Sequence, residues 1–194
     1  THFPRLMPFL ASAYIRAGFA RAAFGRYQAL VHALRSGDEA RAAVEAAFYP
    51  PRGKRSFGVS RAHGYGPRMD EYLQSSPDET TVMVQVESAA AVRNIDAILG
   101  TDGVDAGVIG PFDLSGSLGR LGEITHPEVQ AAIDAVLAAG KRHGVPVGIF
   151  CGSAELARGY LARGFSPIAV GVDSMLLAAG AREPRVANGH HAGH

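Results

Sequence analysis

Four short runs in the second half of the chain consist almost entirely of apolar residues and are rich in valine and isoleucine. They cover residues 82–86, 106–109, 145–150 and 168–172. Strands that are apolar on both faces are typical of a parallel sheet covered by helices. Alanine-rich stretches with helix-capping residues separate the runs, so the pattern predicts repeated strand-helix units.

One further strand-helix unit is expected ahead of these runs. The sequence predicts a strand at 29–34 and a helix at 36–48, whose Ser36-Gly37-Asp38-Glu39 start is a capping-box pattern. Residues 49–79 are rich in Gly, Pro, Arg and Ser and are predicted to form a long loop. The other predicted helix starts are Ser88, His126-Pro127 and Ser153.

Repeated units of this kind form either an open doubly wound sheet or a (β/α)8 TIM barrel. No glycine-rich phosphate loop follows the first of the four runs, so we favour the barrel. A complete barrel needs about 250 residues, and this chain has 194. We therefore expect an α/β barrel with truncated or divergent N-terminal strands. The predicted boundaries are a divergent segment at 1–28, the barrel domain at 29–182 and a frayed tail at 183–194.

The charge balance, the length of the apolar runs and the cysteine count indicate which kinds of binding partner and which location to expect. The chain has 19 Lys and Arg against 18 Asp and Glu, so no strong field attracts nucleic acid or an anionic membrane. Every apolar run is shorter than the roughly 20 residues that span a bilayer. The single cysteine, Cys151, excludes an internal disulfide and indicates a cytoplasmic location. We therefore expect a small-molecule partner, with no nucleic acid and no membrane.

Acidic side chains follow two consecutive predicted strands. Glu87 comes directly after the run 82–86, and Gly110-Pro111-Phe112-Asp113 follows the run 106–109. Functional residues of parallel α/β folds lie at the carboxyl ends of the strands. Either carboxylate alone is explained by capping a helix or a turn. The pair, expected side by side at one mouth of the barrel, favours a functional site.

Two chemistries suit such a pair. The carboxylates could be the acid and base of a glycosidase, or they could hold a divalent cation that accepts substrate oxygens. The metal site fits better, because nothing nearby looks arranged to keep one carboxyl group protonated. Gln85 needs a polar partner if buried and is expected either beside Glu87 or as a satisfied core amide. The backbone N–H groups of Gly110 and Phe112 could bind an anion. Cys151 follows the third run and is either a thiol nucleophile or, preferably, a small apolar core residue.

Four ordered motifs resemble the HpcH/HpaI aldolase family of class II, metal-dependent aldolases. They are YPPRGKRSFG (49–58), VMVQVES (82–88), IGPFDLSGSLG (109–119) with HPEVQAAI (126–133), and AVGVDSMLL (169–177). The resemblance covers roughly residues 36–180. It implies a (β/α)8 TIM barrel of the phosphoenolpyruvate/pyruvate type. It also implies a homo-oligomer, a trimer or hexamer, with the last helix exchanged between subunits.

The resemblance also implies a reaction and a set of site residues. The reaction is cleavage of a 4-hydroxy-2-oxo acid to pyruvate and an aldehyde through a metal-bound enolate, as in the catabolism of aromatic compounds. By the motif match, Glu87 and Asp113 ligate Mg²⁺, Mn²⁺ or Co²⁺. Gln85, Gly110, Phe112 and Asp113 contact the substrate.

Other residues fit the family pattern less completely. Leu176 and Leu177 match positions near the aldehyde pocket, whereas Arg61 is either a substrate contact or a solvated loop residue. The family's Asp-Gly-Glu-His or Asp-Leu-Glu-His segment and its enolate-binding arginine have no match. His32 is the candidate for the histidine, and Arg5 and Arg16 are the candidates for the arginine.

These departures leave several interpretations open. The chain is a truncated or misread member, a divergent enzyme that keeps enolate chemistry, or a barrel completed by another chain. The alternative to an active aldolase is a catalytically impaired barrel that binds a metal or a 2-oxo acid, or serves as an assembly subunit.

Overall fold

A computed structural model describes residues 28–31, 34–59 and 61–182 of the chain. The described strands are β1 (Gln28–Val31), β2 (Thr81–Val86), β3 (Ala106–Ile109), β4 (Val147–Cys151) and β5 (Ile168–Val170). The described helices are α1 (Gly37–Ala47), α2 (Met69–Glu79), α3 (Ala89–Arg93), α4 (Ile95–Leu99), α5 (Pro111–Ser117), α6 (Pro127–His143), α7 (Ala154–Arg163) and α8 (Asp173–Arg182), with a 3-10 turn at Arg61–His63.

The strands form one parallel sheet whose spatial order is the order along the chain, β1-β2-β3-β4-β5. A doubly wound sheet reverses its strand order at a switch point, and the described strands show no reversal. Consecutive parallel strands joined through helices are the repeating unit of a (β/α)8 barrel. The predicted α/β fold with a barrel-type parallel sheet is confirmed.

The two faces of the sheet are covered differently. Side chains of alternating residues, such as Val84, Ile109 and Ile149, belong to one large apolar cluster with helices α1 and α3 to α7. We call this side the outer face. The residues between them, Met83, Ala106 and Val108, form a separate small cluster, and we call their side the inner face. Helices on one face and a small cluster on the other are expected of an arc of a barrel.

The predicted helix starts have the expected caps. The hydroxyl oxygens of Ser36, Ser88 and Ser153 each accept a hydrogen bond from a backbone N–H in the first turn of α1, α3 and α7. His126 caps α6 through Nδ1, which accepts from the N–H of Glu128. Local capping chemistry therefore sets where these helices begin.

Strands β4 and β5 cover 147–151 and 168–170 instead of the predicted 145–150 and 168–172, and two other predicted segments contain different helices than expected. The predicted loop at 49–79 contains helix α2, which buries only Tyr72 and Ser76 and has Pro77 inside it. Such a helix lacks the apolar periodicity from which a helix is recognised. The single helix predicted after Ser88 is divided at Asn94, which ends α3 and begins α4.

Several predictions fall on residues outside the described part of the chain. These are the divergent segment up to residue 27, the tail at 183–194 and the candidates Arg5, Arg16 and His32. Among the described helices, none is long and apolar enough to cross a membrane.

Candidate functional site

The carboxyl ends of β2 and β3 lie level with each other. Parallel pairing places Gln85 opposite Val108 and Val86 opposite Ile109. The pairing continues for one residue beyond β3, where the N–H of Gly110 donates to the carbonyl of Val86 at 3.1 Å. The residues that follow the two strands therefore begin at the same edge of the sheet.

Gln85 and Glu87 are joined by a short hydrogen bond. The Nε2 of Gln85 donates to Oε2 of Glu87 at 2.6 Å, and both residues are half-buried. Residues two apart along an extended chain point to the same side, which explains why the two side chains meet. Because Gln85 is paired with Val108, its side chain belongs to the inner face. Of the two alternatives predicted for Gln85, the structure thus shows the place beside Glu87.

Gly110 lies directly against this pair. A Cβ atom at position 110 would lie 3.1 Å from Nε2 of Gln85 and 3.4 Å from both Cβ and Oε2 of Glu87. The φ angle of Gly110 is −94°, which residues with side chains also adopt. A side chain at position 110 would therefore crowd this pair, whereas the backbone conformation does not demand glycine.

Asp113 lies in a short helix that was not predicted from the sequence. Helix α5 begins with Pro111, places Asp113 in its first turn and has no side-chain cap at Gly110. Proline at the first position and an acid in the first turn are both favourable at a helix start. Asp113 is exposed, whereas Leu114 next to it is fully buried in the outer cluster. The helix is thus anchored by its apolar side and presents its carboxylate to solvent.

Two serines that the sequence analysis did not single out connect the site segments. Ser115 is fully buried, donates to the carbonyl of Phe112 at 2.6 Å and accepts from the N–H of Gly122 at 3.0 Å. Ser117 accepts from the N–H of Ala89 at 3.0 Å, which links α5 to the segment after Glu87. The sequence signal for these bonds is Ser115-Gly116-Ser117, shortly after Asp113. Serine side chains favour local hydrogen bonds to the backbone.

The backbone donors of the site are not equivalent. The N–H of Gly110 is used in the bond to Val86, so its predicted role toward a substrate carboxylate competes with strand pairing. Phe112 is the second residue of α5, where a backbone N–H has no acceptor within the helix. Its side chain is 54% exposed. Of the two predicted donors, Phe112 is the one not used in the sheet.

The donor set at this edge is rich in oxygen. It consists of the carboxylates of Glu87 and Asp113 and the amide of Gln85, and the described contacts join Gln85 to Glu87 but do not include Asp113. Within the described residues, no cluster of three or more His, Cys, Asp or Glu side chains could hold a metal ion. Oxygen donors with few protein ligands suit a hard divalent cation that keeps several waters, such as Mg²⁺.

Cys151 is separated from this site by the sheet. It is 4% exposed, belongs to the outer cluster, and its thiol donates to the carbonyl of Ser153 at 3.5 Å. Burial raises the pKa of the Cys151 thiol, and the bond to Ser153 only partly offsets this. The structure therefore agrees with the interpretation of Cys151 as a small core residue and not as a thiol nucleophile.

The remaining predicted contacts lie on exposed segments. Leu176 and Leu177 are 62% and 76% exposed on helix α8. Arg61 is exposed in the 3-10 turn. None of these residues is brought against Gln85 or Glu87 by a described contact.

Comparisons with known proteins identify relatives of the chain. A curated 4-hydroxy-2-oxo-heptane-1,7-dioate aldolase from Escherichia coli is 42% identical over 156 residues, which cover 79% of this chain and 59% of the relative. A crystal structure of an HpcH/HpaI aldolase/citrate lyase family protein from Burkholderia cenocepacia J2315 superposes with a TM-score of 0.78 at 40% identity, covering 84% of this chain and 65% of the other. For the HpcH/HpaI aldolase from Desulfitobacterium hafniense DCB-2 the TM-score is 0.73 at 33% identity, with 86% and 65% covered.

The family model for HpcH/HpaI aldolase/citrate lyase matches residues 15–179. The match begins inside the segment that the sequence analysis treats as divergent. It ends within helix α8, so it includes every residue of the candidate site. The chain belongs to the HpcH/HpaI aldolase/citrate lyase family.

Proposed function

We propose that this chain is a divalent-metal-dependent carbon-carbon lyase that cleaves a 4-hydroxy-2-oxo acid to pyruvate and an aldehyde. The observation that carries the proposal is the placement of Glu87 and Asp113 after two paired, parallel strands, with Gln85 bonded to Glu87. The name of the E. coli relative supports the substrate class. The chain spans 59% of the length of that relative, so its activity is inferred and not carried over.

The residues present fit a hard cation. The Glu87 carboxylate has one oxygen, Oε2, bonded to the Gln85 amide at 2.6 Å, which fixes the group without neutralising its charge. Asp113 is exposed in the first turn of α5. We assign these two carboxylates as the protein ligands, with water and substrate oxygens completing the coordination. The cation that we propose is Mg²⁺, Mn²⁺ or Co²⁺.

When bound, the cation would stabilise the negative charge that develops on the 2-oxo acid as its carbon-carbon bond breaks. Glu87 and Asp113 would fix its position. The N–H of Phe112 is the backbone donor that we assign to the substrate carboxylate. The proton of the substrate 4-hydroxyl needs an acceptor, and our candidate is His32, which follows β1 in the sequence and lies outside the described residues.

The test is release of pyruvate from a series of 4-hydroxy-2-oxo acids with and without added Mn²⁺. We expect Mn²⁺-dependent release that is lost in Glu87→Gln and Asp113→Asn, because each change removes a charged ligand. Asp78→Asn is the control, since Asp78 is exposed in α2, which leads to the opposite end of β2. Full activity in either ligand variant would disprove the metal assignment.

A second candidate is a barrel that binds a metal or a 2-oxo acid but does not cleave it, or that serves as an assembly subunit. It is favoured by the absence of an Asp-x-Glu-His segment in the sequence. Exchange of the pyruvate methyl protons with deuterium in solvent separates the two functions, because exchange needs enolisation but no aldehyde. Measurable Mn²⁺ binding without proton exchange would favour the barrel that binds a ligand but does not cleave it.

The assembly and the location are also proposals. Met175, Leu176 and Leu177 are more than half exposed on α8, and these apolar side chains support a homo-oligomer, which we propose to be a trimer or hexamer. A single, buried cysteine supports a cytoplasmic location. Light scattering of the purified chain would test the oligomer.

A further inference from the structure

We propose that Gln85 is a positioning residue that orients Glu87 for the metal before any substrate binds, and that Gly110 is there to leave room for this pair. The family resemblance implies only a substrate contact for Gln85. The inference rests on the proposed function, because it takes Glu87 as a metal ligand.

The hydrogen bond between Gln85 and Glu87 holds the carboxylate from a paired strand. The 2.6 Å distance from Nε2 of Gln85 to Oε2 of Glu87 is short even for a bond from an amide to a charged acceptor. The backbone of Gln85 is fixed, because it is paired with Val108 of β3 near the carboxyl end of β2. A rigid strand therefore holds one oxygen of the carboxylate. Such outer partners of metal-binding carboxylates set the orientation of the ligand.

The backbone of Gly110 lies against both side chains. A Cβ atom at position 110 would lie 3.1 Å from Nε2 of Gln85 and 3.4 Å from Oε2 of Glu87. The glycine is held at both ends, since its N–H donates to Val86 and its carbonyl accepts from the N–H of Leu114 at 3.0 Å. The amide and the carboxylate thus lie against fixed backbone, and any side chain at 110 would press on their hydrogen bond.

A substrate contact and a positioning role for Gln85 predict different effects of its substitution on metal binding. A residue that only contacts the oxo acid affects binding of that acid and leaves binding of the metal alone unchanged. A residue that orients Glu87 affects binding of the metal in the absence of any acid. Mutation of outer partners of metal ligands typically weakens metal affinity by about 10–100-fold, which is large enough to measure directly.

The experiment is titration of the purified 194-residue chain with Mn²⁺, without substrate, by isothermal calorimetry. Gln85→Met keeps the length of the side chain and removes the N–H donor, while Gln85→Asn keeps the amide and withdraws it by one methylene. Gly110→Ala leaves both polar groups in place and crowds them. Gln74→Met is the matched control, since Gln74 is exposed on α2. Thermal unfolding of each variant shows that it is folded.

We expect Mn²⁺ affinity to fall by about tenfold or more in both Gln85 variants. A smaller loss in the same direction is expected in Gly110→Ala, and no change in Gln74→Met. If Gln85→Met does not fold, Gly110→Ala still decides, because a bond that is merely structural would lower the melting temperature and leave the Mn²⁺ affinity unchanged.

Two outcomes overturn the inference in distinguishable ways. Unchanged Mn²⁺ affinity in Gln85→Met, with affinity lost in Glu87→Gln and a raised KM for the oxo acid, leaves the proposed function standing and reduces Gln85 to a substrate contact. Equal Mn²⁺ affinity in the wild-type chain and in Glu87→Gln removes Glu87 as a ligand, and with it both the metal assignment and the positioning role.

Discussion

The outer and inner faces of the sheet differ in what they contain. On the outer face, Val84, Ile109 and Ile149 are fully buried in one cluster with the helices. On the inner face, Met83, Ala106 and Val108 form a cluster of their own, and Gln85 brings an amide into the same side of β2. Among the described residues, one face has many apolar partners from several helices, whereas the other has few partners and a polar group at its end.

This difference separates the residues that stabilise the fold from the residues of the candidate site. Burial of apolar area is the dominant favourable term in folding, so among the described residues the large outer cluster contributes more to stability than the small inner one. Polar groups such as Gln85 and Glu87 need fixed partners and open space, which the inner edge supplies through Gly110. We therefore expect substitutions on the outer face to change stability and those at the inner edge to change metal affinity.

The largest expected effect on stability is that of Ile149→Ala. Ile149 is fully buried at the centre of β4 and belongs to the outer cluster. Removing its side-chain carbons leaves a cavity between the sheet and the helices, and such changes cost about 2–5 kcal/mol. Urea unfolding followed by circular dichroism measures the loss. A loss below about 1 kcal/mol would mean that the outer face is loosely packed and would remove the contrast between the faces.

A smaller effect is expected where α6 approaches β4. A Cβ at Gly140 would meet Cγ2 of Val147 at 2.4 Å and the carbonyl of Val145 at 2.7 Å. Gly140→Ala is therefore expected to destabilise the chain by about 1–3 kcal/mol through overpacking. The measurement is again urea unfolding.

Gly159→Ala is the matched control for this substitution. Gly159 is also inside a helix, α7, but nothing lies within 4 Å of its missing Cβ. The same change should stabilise the chain by up to about 1 kcal/mol, because alanine favours the helix. Stabilisation in both variants would show that helix propensity, and not contact between α6 and β4, governs the outer layer.

At the inner edge, Asp113→Asn is expected to cost little stability. Asp113 is exposed, and an acid in the first turn of a helix contributes about 0.3–1 kcal/mol. Mn²⁺ affinity should fall strongly in the same protein, because a charged ligand is lost. Unfolding and Mn²⁺ titration of one preparation test both. A loss of stability as large as that of Ile149→Ala would contradict the division between the faces.

The parts of this structure that sequence could predict are those specified by local chemistry. The strand Ala106–Ile109 has the predicted bounds, and the capping serines lie where helices begin. Helix α2 was missed, because its few buried residues, Tyr72 and Ser76, give no periodic signal. At the site, the sequence left two alternatives for Gln85, a place beside Glu87 or a satisfied core amide, and the structure shows it bonded to Glu87. The crowding at Gly110 depends on contacts between strands, which no local pattern contains.

The smallest expected effect belongs to an ion pair at the surface of the helix layer. Arg142 of α6 donates to both carboxylate oxygens of Asp96 in α4, at 2.7 and 2.9 Å, and His143 lies 2.9 Å from the same carboxylate. The hydrogen bonds from Arg142 and then His143 hold the pKa of Asp96 below its ordinary value. The pair is exposed to solvent, so its contribution to stability is small.

The sign of the pH dependence follows from the lowered pKa. A carboxyl group whose pKa is lower in the folded state stabilises the fold above its unfolded pKa of about 3.9, and this stabilisation disappears as the pH falls through the folded value. Asp96→Asn should therefore be slightly less stable than the wild-type chain at pH 7. The difference should shrink below about pH 4 and should also shrink in high salt, because exposed charges are screened. Urea unfolding of both proteins from pH 7 to acid measures it. A difference that stays constant through this range would mean that Asp96 acts through packing between α4 and α6, and not through its charge.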